Sequence, residues 1–387
     1  MSTHSDALAL WASISQAGGR SAYVDNQHKE RGYSVERREV DSMSDREKER
    51  YKKELKREAA ERKTLDRQAW TAYKAANIVH LGDGIFWSDG DKPDKWDTPN
   101  GPERAAENEL PPLDTPLQLA EALGLTVADL RAMTYHRDAA TMLHYVRFTI
   151  PKRDGGVRPI WAPLPRLKAA QRWVLHQIAE RLPVHGSAQG FLAGRSILTN
   201  AAVHTGSQIV LNMDVEQFFP TITWRRVKGI FRRAGYRESI ATLLALLCTE
   251  SPREIVELEG KKYFVALGPR CLPQGAPTSP ALTNALCLRL DRRLAALALK
   301  AGWRYSRYAD DLTFSLPEGA ADSAPDGLIR TVTKIAAAEG LAIKASKTRV
   351  IRLGRRQTVT GLVVNGPAAP RTPRKLRREL RAALFNL

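Results

Sequence analysis

From Tyr145 onward the hydrophobic positions follow two rhythms, one of period two and one of helical period, whereas the first 110 residues are dominated by charge and turn formers. The segment VRFTIPKRDGGVRPIWAP alternates apolar and polar residues around a DGG turn, which predicts a β-hairpin. Residues 166–182 place their apolar side chains at helical spacing and predict an amphipathic helix. IVLNMDV (209–215) is a short apolar run ending in a carboxylate, the pattern of a buried strand. WRRVKGIFRRAGY and SIATLLALLCTE read as helices, and KKYFVAL as a strand leading into the turn-rich LGPRCLPQGAPTSP. ALTNALCLRLDRRLAALALKA reads as one strong helix, and WRYSRYADDLTFSL as a second hairpin with two acids at its tip. Residues 326–340 are helical in pattern, and TRVIRLGRRQTVTGLVVN supplies two more short strands. Strands and helices mixed without strict βαβ repetition predict an α+β fold, a mostly antiparallel sheet backed by helices.

The amino-terminal stretch reads differently. Asp45 to Glu58 carries twelve charges in fourteen residues, seven basic and five acidic. Glu49 with Lys53 and Glu58 with Arg62 stand at i,i+4, so a solvated helix is expected, either a charged spacer or a nucleic-acid-binding arm. Residues 88–112, rich in Asp, Pro and Gly, read as a linker. Leu117 to Tyr135 returns to helical spacing, with Thr126 as the cap between two short helices.

Charge narrows the partners. Lys and Arg total 60 against 42 Asp and Glu, a net +18, and the pI is near 10.0. Such an excess draws polyanions, so nucleic acid is the default partner and an anionic membrane surface the competing one. Mean hydropathy is −0.37, and no run of about 18 apolar residues exists to span a bilayer. The amino terminus has an acid where a signal peptide wants Lys or Arg, so export is not expected. The only cysteines, Cys248, Cys271 and Cys287, form no C-x-x-C pair and have no nearby His. They predict reduced thiols of a cytoplasmic protein and no zinc site.

Two acidic sites carry the candidate chemistry. Asp214 closes the apolar run, and Asp310 with Asp311 occupies the tip of the second hairpin. A carboxylate at a buried strand end needs a partner, and a divalent cation is a strong one. Mg²⁺ favours one or two carboxylates plus phosphates and water, and two such ions can activate a hydroxyl and stabilise a leaving pyrophosphate. An Asp-Asp pair alone is weak evidence, because surface hairpins carry it for turn chemistry.

The flanking residues make the signal specific. Tyr308-Ala309-Asp310-Asp311 resembles the Y-x-D-D box of reverse transcriptases, Asp214 in LNMDVEQFFPTI their first metal-binding motif, and Leu272-Pro273-Gln274-Gly275 their nucleotide-pocket motif. All three occur in the family's order. The resemblance runs from about Tyr145 to the carboxyl end and does not cover residues 1–110; it implies a right-hand polymerase with fingers and palm and an antiparallel palm sheet backed by helices, to which the chain adds a charged helical extension at the amino terminus. It implies that Asp214, Asp310 and Asp311 are catalytic and hold two Mg²⁺ ions, with Mn²⁺ a substitute. Phe219 falls at the steric-gate position that selects dNTPs, provided the chain turns after Asp214, as Pro220 permits; the plainer reading makes Phe218 and Phe219 both core. Gln274 and Gly275 would line the nucleotide pocket and Tyr308 would support the primer end. Lys152 and Arg158 resemble the pair that grips the triphosphate, with Arg153 a rival. Lys347 matches a later basic motif that protonates pyrophosphate, with Lys344 its neighbour.

Two further motifs narrow the family. Asn200-Ala201-Ala202-Val203-His204 fits the N-A-x-x-H signature of retron reverse transcriptases, and Val359-Thr360-Gly361 their V-T-G signature. By that resemblance Asn200, His204, Val359, Thr360 and Gly361 are RNA-recognition residues, and Gly361 also serves primer and template. Alone, His204 reads as a satisfied structural histidine. Retron enzymes bind their own structured noncoding RNA (msr-msd) and prime from an internal 2′-hydroxyl. Their branched RNA–DNA product, msDNA, commonly serves anti-phage defence with an effector protein. The competing readings are an intron-maturase or abortive-infection reverse transcriptase, and an RNA-binding scaffold without turnover. The chain is thus expected to divide into a charged extension and linker (1–110), read from composition alone, then amino-terminal helices and fingers (111–208), palm with some fingers insertion (209–355), and palm end with the start of the thumb (356–387). The thumb is then short or truncated, ending in a basic segment with six bases and one acid between Arg371 and Ala382.

Overall fold

The computed structural model describes residues 3–88, 94–151, 155–320 and 324–385. The chain forms two compact units, Met1–Pro93 with Leu113–Arg137, and Asp94–Pro112 with Asp138–Leu387. In the first, α1 (His4–Gln16) and α2 (Arg20–Glu30) pack on the long α3 (Asp45–Ala76). Ile14, Val24, Leu65, Ala69 and Ala72 form its core. Ser44 opens α3 with a capping box to Glu47, so the charged run does begin a helix. The expected Glu58–Arg62 pair gives way to tertiary ones, because Glu58 takes Arg37 at 2.6 Å and Arg62 takes Asp25 at 2.6 Å. This run therefore lashes the unit together and is more than a spacer.

Residues 94–112 are no linker. They carry α4 (Gly101–Glu107) and belong to the second unit, whereas α5 (Pro116–Ala122) and α6 (Val127–Thr134) rejoin the first, with Thr126 capping α6. The division at residue 110 is thereby corrected. Asp97 supplies the reason: its carboxylate accepts from the Glu238 N–H at 2.7 Å, capping a helix of the second unit, while the Thr98 hydroxyl donates to the Arg232 carbonyl at 3.1 Å. A β-carbon on Gly101 would stand 2.6 Å from the Gly235 carbonyl oxygen, so this backbone approach needs glycine.

The second unit opens with the short β1 (Ala139–Ala140) and the predicted hairpin, β2 (Tyr145–Pro151) with β3 (Val157–Pro163). Then follow α7 (Pro165–Gln177), α8 (Ile197–Ala202), β4 (Ser207–Asp214), α9 (Trp224–Ala234) and α10 (Glu238–Cys248). A second hairpin, β5 (Arg253–Leu258) and β6 (Lys261–Ala266), joins β1 in a three-stranded sheet. The expected single helix after the L-P-Q-G segment is two, α11 (Ser279–Leu286) and α12 (Leu288–Lys300), broken at Cys287. The chain ends in β7 (Arg304–Tyr308), β8 (Asp311–Pro317), α13 (Pro325–Ala338), β9 (Arg349–Arg352), β10 (Thr358–Val359), β11 (Leu362–Val363) and α14 (Arg374–Phe385).

The central sheet is antiparallel in the order β7-β8-β4-β9. Its back face carries Ile209, Leu211 and Met213 of β4 and Leu312, Phe314 and Leu316 of β8, packed on α12 and α13 through Leu290, Leu294, Leu328 and Val332. Strand alternation turns Asn212, Asp214, Asp311, Thr313 and Ser315 to the front. There Val210 packs with Ala201, Val359 and Val364. One face is thus apolar and helix-covered, and the other polar.

Candidate active site

The three acids converge where the sheet ends. Asp214 and Asp311 are direct cross-strand partners of β4 and β8, so their side chains stand on the same face about 5 Å apart at the β-carbons. The two-residue turn Ala309-Asp310 joins β7 to β8, with Ala309 at φ +55°. Beyond Asp214, the Val215 N–H donates to the Asp310 carbonyl at 3.0 Å, holding the turn against β4. Crowded carboxylates resist ionisation. Burial first, then the charges of Asp310 and Asp214, push the Asp311 carboxyl up to about 6, with Lys347 opposing. Asp310 is also raised, by burial first and by Asp214, against Lys347 and Arg158.

Lys347 answers this charge. Its ammonium donates to Asp214 Oδ1 at 2.8 Å, and that bond first, then the charges of the three acids, holds it above the ordinary lysine value. Its neighbour Lys344 gives only its backbone N–H, to the Asp214 carbonyl at 2.8 Å. Of the two lysines, Lys347 is the one whose ammonium reaches Asp214. Among the described residues no group of three or more His, Cys, Asp or Glu side chains is arranged to hold a metal ion by itself. Mg²⁺ does not need one, since it takes one or two carboxylates and completes its shell with phosphate and water. A site of oxygen donors with one edge held by an ammonium fits such an ion.

The other predicted residues are held by contacts of their own. Phe218 is core and Phe219 half-buried, because residues 216–220 form a turn with Gln217 at φ +44°. The chain therefore does turn after Asp214, and the two phenylalanines part company. The Gln274 carbonyl accepts from the Trp161 N–H at 2.8 Å, docking the L-P-Q-G segment on β3. A β-carbon on Gly275, at φ +124°, would lie 2.7 Å from the Trp161 carbonyl oxygen, so this contact needs glycine. Arg158, opposite Ile150 in the β2–β3 hairpin, is near enough for its charge to lower Asp310. Lys152 and Arg153 lie outside the described residues. Tyr308 is half-buried, its ring 6.1 Å from that of Phe191.

Residues 150–369 match the family described as reverse transcriptase (RNA-dependent DNA polymerase). Over 99% of this chain and 81% of the relative, it is 50% identical to the retron Mx162 reverse transcriptase of Myxococcus xanthus. The chain belongs to the retron reverse transcriptases. It is 48% identical to the retron Mx65 enzyme of the same organism over 66% of this chain and 59% of that one, and 34% identical to the retron Ec86 enzyme of Escherichia coli over 66% and 73%. As a retron reverse transcriptase it is an RNA-directed DNA polymerase with a polymerase fold of mixed helix and sheet, its template is RNA, and its family works with divalent metal ions. None of the described helices is long and apolar enough to cross a membrane.

The retron signature motifs lie inside the protein. His204 is fully buried on the front of the sheet, its two ring nitrogens 2.7 Å from Ser306 Oγ and 2.8 Å from Ser315 Oγ. Asn200, also fully buried, accepts from Ser306 Oγ at 2.7 Å and donates to Thr360 Oγ1 at 3.4 Å. Val359 is buried against Val210. Asn200, His204 and Val359 are thus buried, and a part in RNA recognition would have to be indirect. These motifs tie α8 and the V-T-G turn to strands β7 and β8. Of the five residues assigned to RNA recognition, Gly361 is exposed and Thr360 half-buried. Burial pulls the His204 imidazole down to about 3, so it is neutral throughout the physiological range.

Proposed function

We propose that this chain copies part of its own structured noncoding RNA, the msr-msd transcript, into branched msDNA, priming from an internal 2′-hydroxyl. In this reading the four-stranded sheet is the palm, the β2–β3 hairpin belongs to the fingers, and α14 begins a thumb. The observation that carries it is the cross-strand pairing of Asp214 with Asp311, with Asp310 in the turn between β7 and β8.

Asp214, Asp310 and Asp311 would hold two Mg²⁺ ions, or Mn²⁺ in their place. Ions held there would supply Lewis-acid assistance to hydroxyl attack and charge neutralisation at the leaving pyrophosphate. The chain's own residues do the rest. Arg158, with Lys152, grips the triphosphate through a planar fork and a point charge. Gly275 lets the backbone approach the nucleotide, Gln274 lines the pocket, and the half-buried ring of Phe219 excludes a 2′-hydroxyl. Lys347, whose ammonium bonds Asp214, would give its proton to pyrophosphate. Tyr308 and Gly361 meet the primer and template, while Asn200, His204 and Thr360 act on RNA through the loops they hold in place. A net charge of +18 suits recognition of a folded RNA by shape and phosphate. The product would serve anti-phage defence in the cytoplasm with an effector protein.

The test is expression with the flanking DNA, followed by isolation of a small RNA–DNA species. A branch resistant to ribonuclease but cleaved by a 2′,5′-debranching enzyme is expected. Robust dNTP incorporation with only linear cDNA would overturn the branched-priming claim and leave the polymerase.

A further inference from the structure

The sheet's apolar back face contains one charged intrusion. Arg307, in the interior of β7, is fully buried, as is Asp291 of α12. The two form a bidentate pair, Nε to Oδ1 at 2.8 Å and Nη2 to Oδ2 at 2.7 Å. Tyr305 adds its hydroxyl to Asp291 Oδ1 at 2.8 Å. A dry ion pair is costly compared with apolar residues of the same volume, so its presence invites a reason beyond stability.

The remaining guanidinium nitrogen supplies one. Arg307 Nη1 donates to Asn284 Oδ1 at 3.0 Å and to the Ala309 carbonyl at 3.2 Å. Ala309 is the first residue of the turn that carries Asp310, in a left-handed conformation unusual for alanine. Asn284 in turn donates to the Gly190 carbonyl at 2.9 Å. Gly190 itself presses on the turn, since a β-carbon there would lie 2.9 Å from the Ala309 nitrogen. On the other side, Val215 holds the Asp310 carbonyl. Both peptide planes that aim the Asp310 and Asp311 side chains are thus fixed, one from β4 and the other from Arg307.

We propose that Arg307 is a positioning residue. From behind the sheet, with Asp291 and Asn284 as its support, it holds the Ala309-Asp310 turn in the geometry that lets the acids share divalent ions. It touches neither substrate nor metal. The claim rests on the assignment of Asp214, Asp310 and Asp311 as the metal site. Lysine cannot replace it, because one ammonium has no planar fork to span Asp291, Asn284 and the Ala309 carbonyl at once.

Two variants test this, Arg307→Lys and the double variant Arg307→Met with Asp291→Leu, which leaves no buried charge unpaired. Each is titrated with Mn²⁺ alone by calorimetry, melted in chelator, and assayed for dNTP incorporation on an RNA template. The expected result is near wild-type melting with Mn²⁺ affinity and kcat each lowered about 10- to 100-fold, as for other residues that orient metal ligands, and dNTP KM changed less than about twofold. Folded variants that bind Mn²⁺ and turn over like wild type would overturn the proposal. Where the double variant does not fold, Arg307→Lys decides by the same readings. Wild-type protein that binds no Mn²⁺, or binds it as well after Asp310→Ala with Asp311→Ala, would instead refute the metal site itself.

Discussion

The two faces of the central sheet are made by the same strands and do opposite work. On the back, Leu211, Phe314 and Leu294 exclude water and bury apolar surface against α12 and α13, the term that dominates stability. On the front, Asp214 and Asp311 stand side by side, and burial first, then the charges of Asp310 and Asp214, push the Asp311 carboxyl up to about 6. The front alone would scatter its acids. The back holds them in register, and the buried polar network of His204, Asn200, Ser306 and Ser315 fastens the front to α8 and the V-T-G turn. Strand alternation sets the acids and the apolar core on opposite faces within a few ångströms of each other.

Substitutions can break this division of labour. The largest effect belongs to the front: Asp310→Ala with Asp311→Ala should lower dNTP incorporation more than about a thousandfold, since several kcal/mol of charge stabilisation go with the metals. RNA affinity, measured by filter binding, should hardly change. On the back, Phe314→Ala removes a fully buried ring and should lower unfolding free energy in urea by about 3–5 kcal/mol through transfer and cavity terms. Turnover by the molecules that remain folded should survive.

His204 sharpens the comparison through pH. Its folded pKa of about 3 lies below the ordinary 6.5, so the unfolded chain takes up the proton first as pH falls. Its contribution is fully present above 6.5 and is lost as pH falls towards 3. Stability should drop by about 2 kcal/mol between pH 6.5 and pH 5 from this group alone. A His204→Gln variant, which has nothing to protonate, should show a flatter slope across that window in urea titrations. The smallest effect is expected at Phe219, where replacement by Ala should relax discrimination against ribonucleotides by about tenfold, a penalty of the order a single pocket contact supplies. Unchanged selectivity in competition assays would remove the gate assignment.

Much of this was legible in the sequence because it depends on local patterns. The apolar run ending at Asp214 and the YADD hairpin appear as strands β4, β7 and β8, and the DGG signal as β2–β3. Thr126 caps its helix as its spacing predicts. The failures are tertiary. Nothing in the composition of residues 94–112 reveals that Asp97 caps a helix about 140 residues later, so a packed segment read as a linker. The pairing of Glu58 with Arg37 overrides the nearer Arg62 for the same reason. Cys287 breaks a helical pattern that carries no Gly or Pro to announce it. Arg307 and Asp291 pass as ordinary charges, although an Arg in the middle of a strand whose neighbours are core was a usable signal. His204 and Asn200 were visible as a motif, but only the fold shows that the motif faces inward.

The central claim is that three aspartates at the end of the sheet share divalent ions beneath a nucleoside triphosphate. Its most direct test is a crystal structure with an RNA template, a primer, a non-hydrolysable dNTP and Mn²⁺, using anomalous scattering to locate the metal. Two peaks among Asp214, Asp310 and Asp311, with the Lys347 ammonium released from Asp214 towards the phosphates, are expected. No anomalous peak at these carboxylates, with nucleotide bound and Lys347 still on Asp214, would contradict the account.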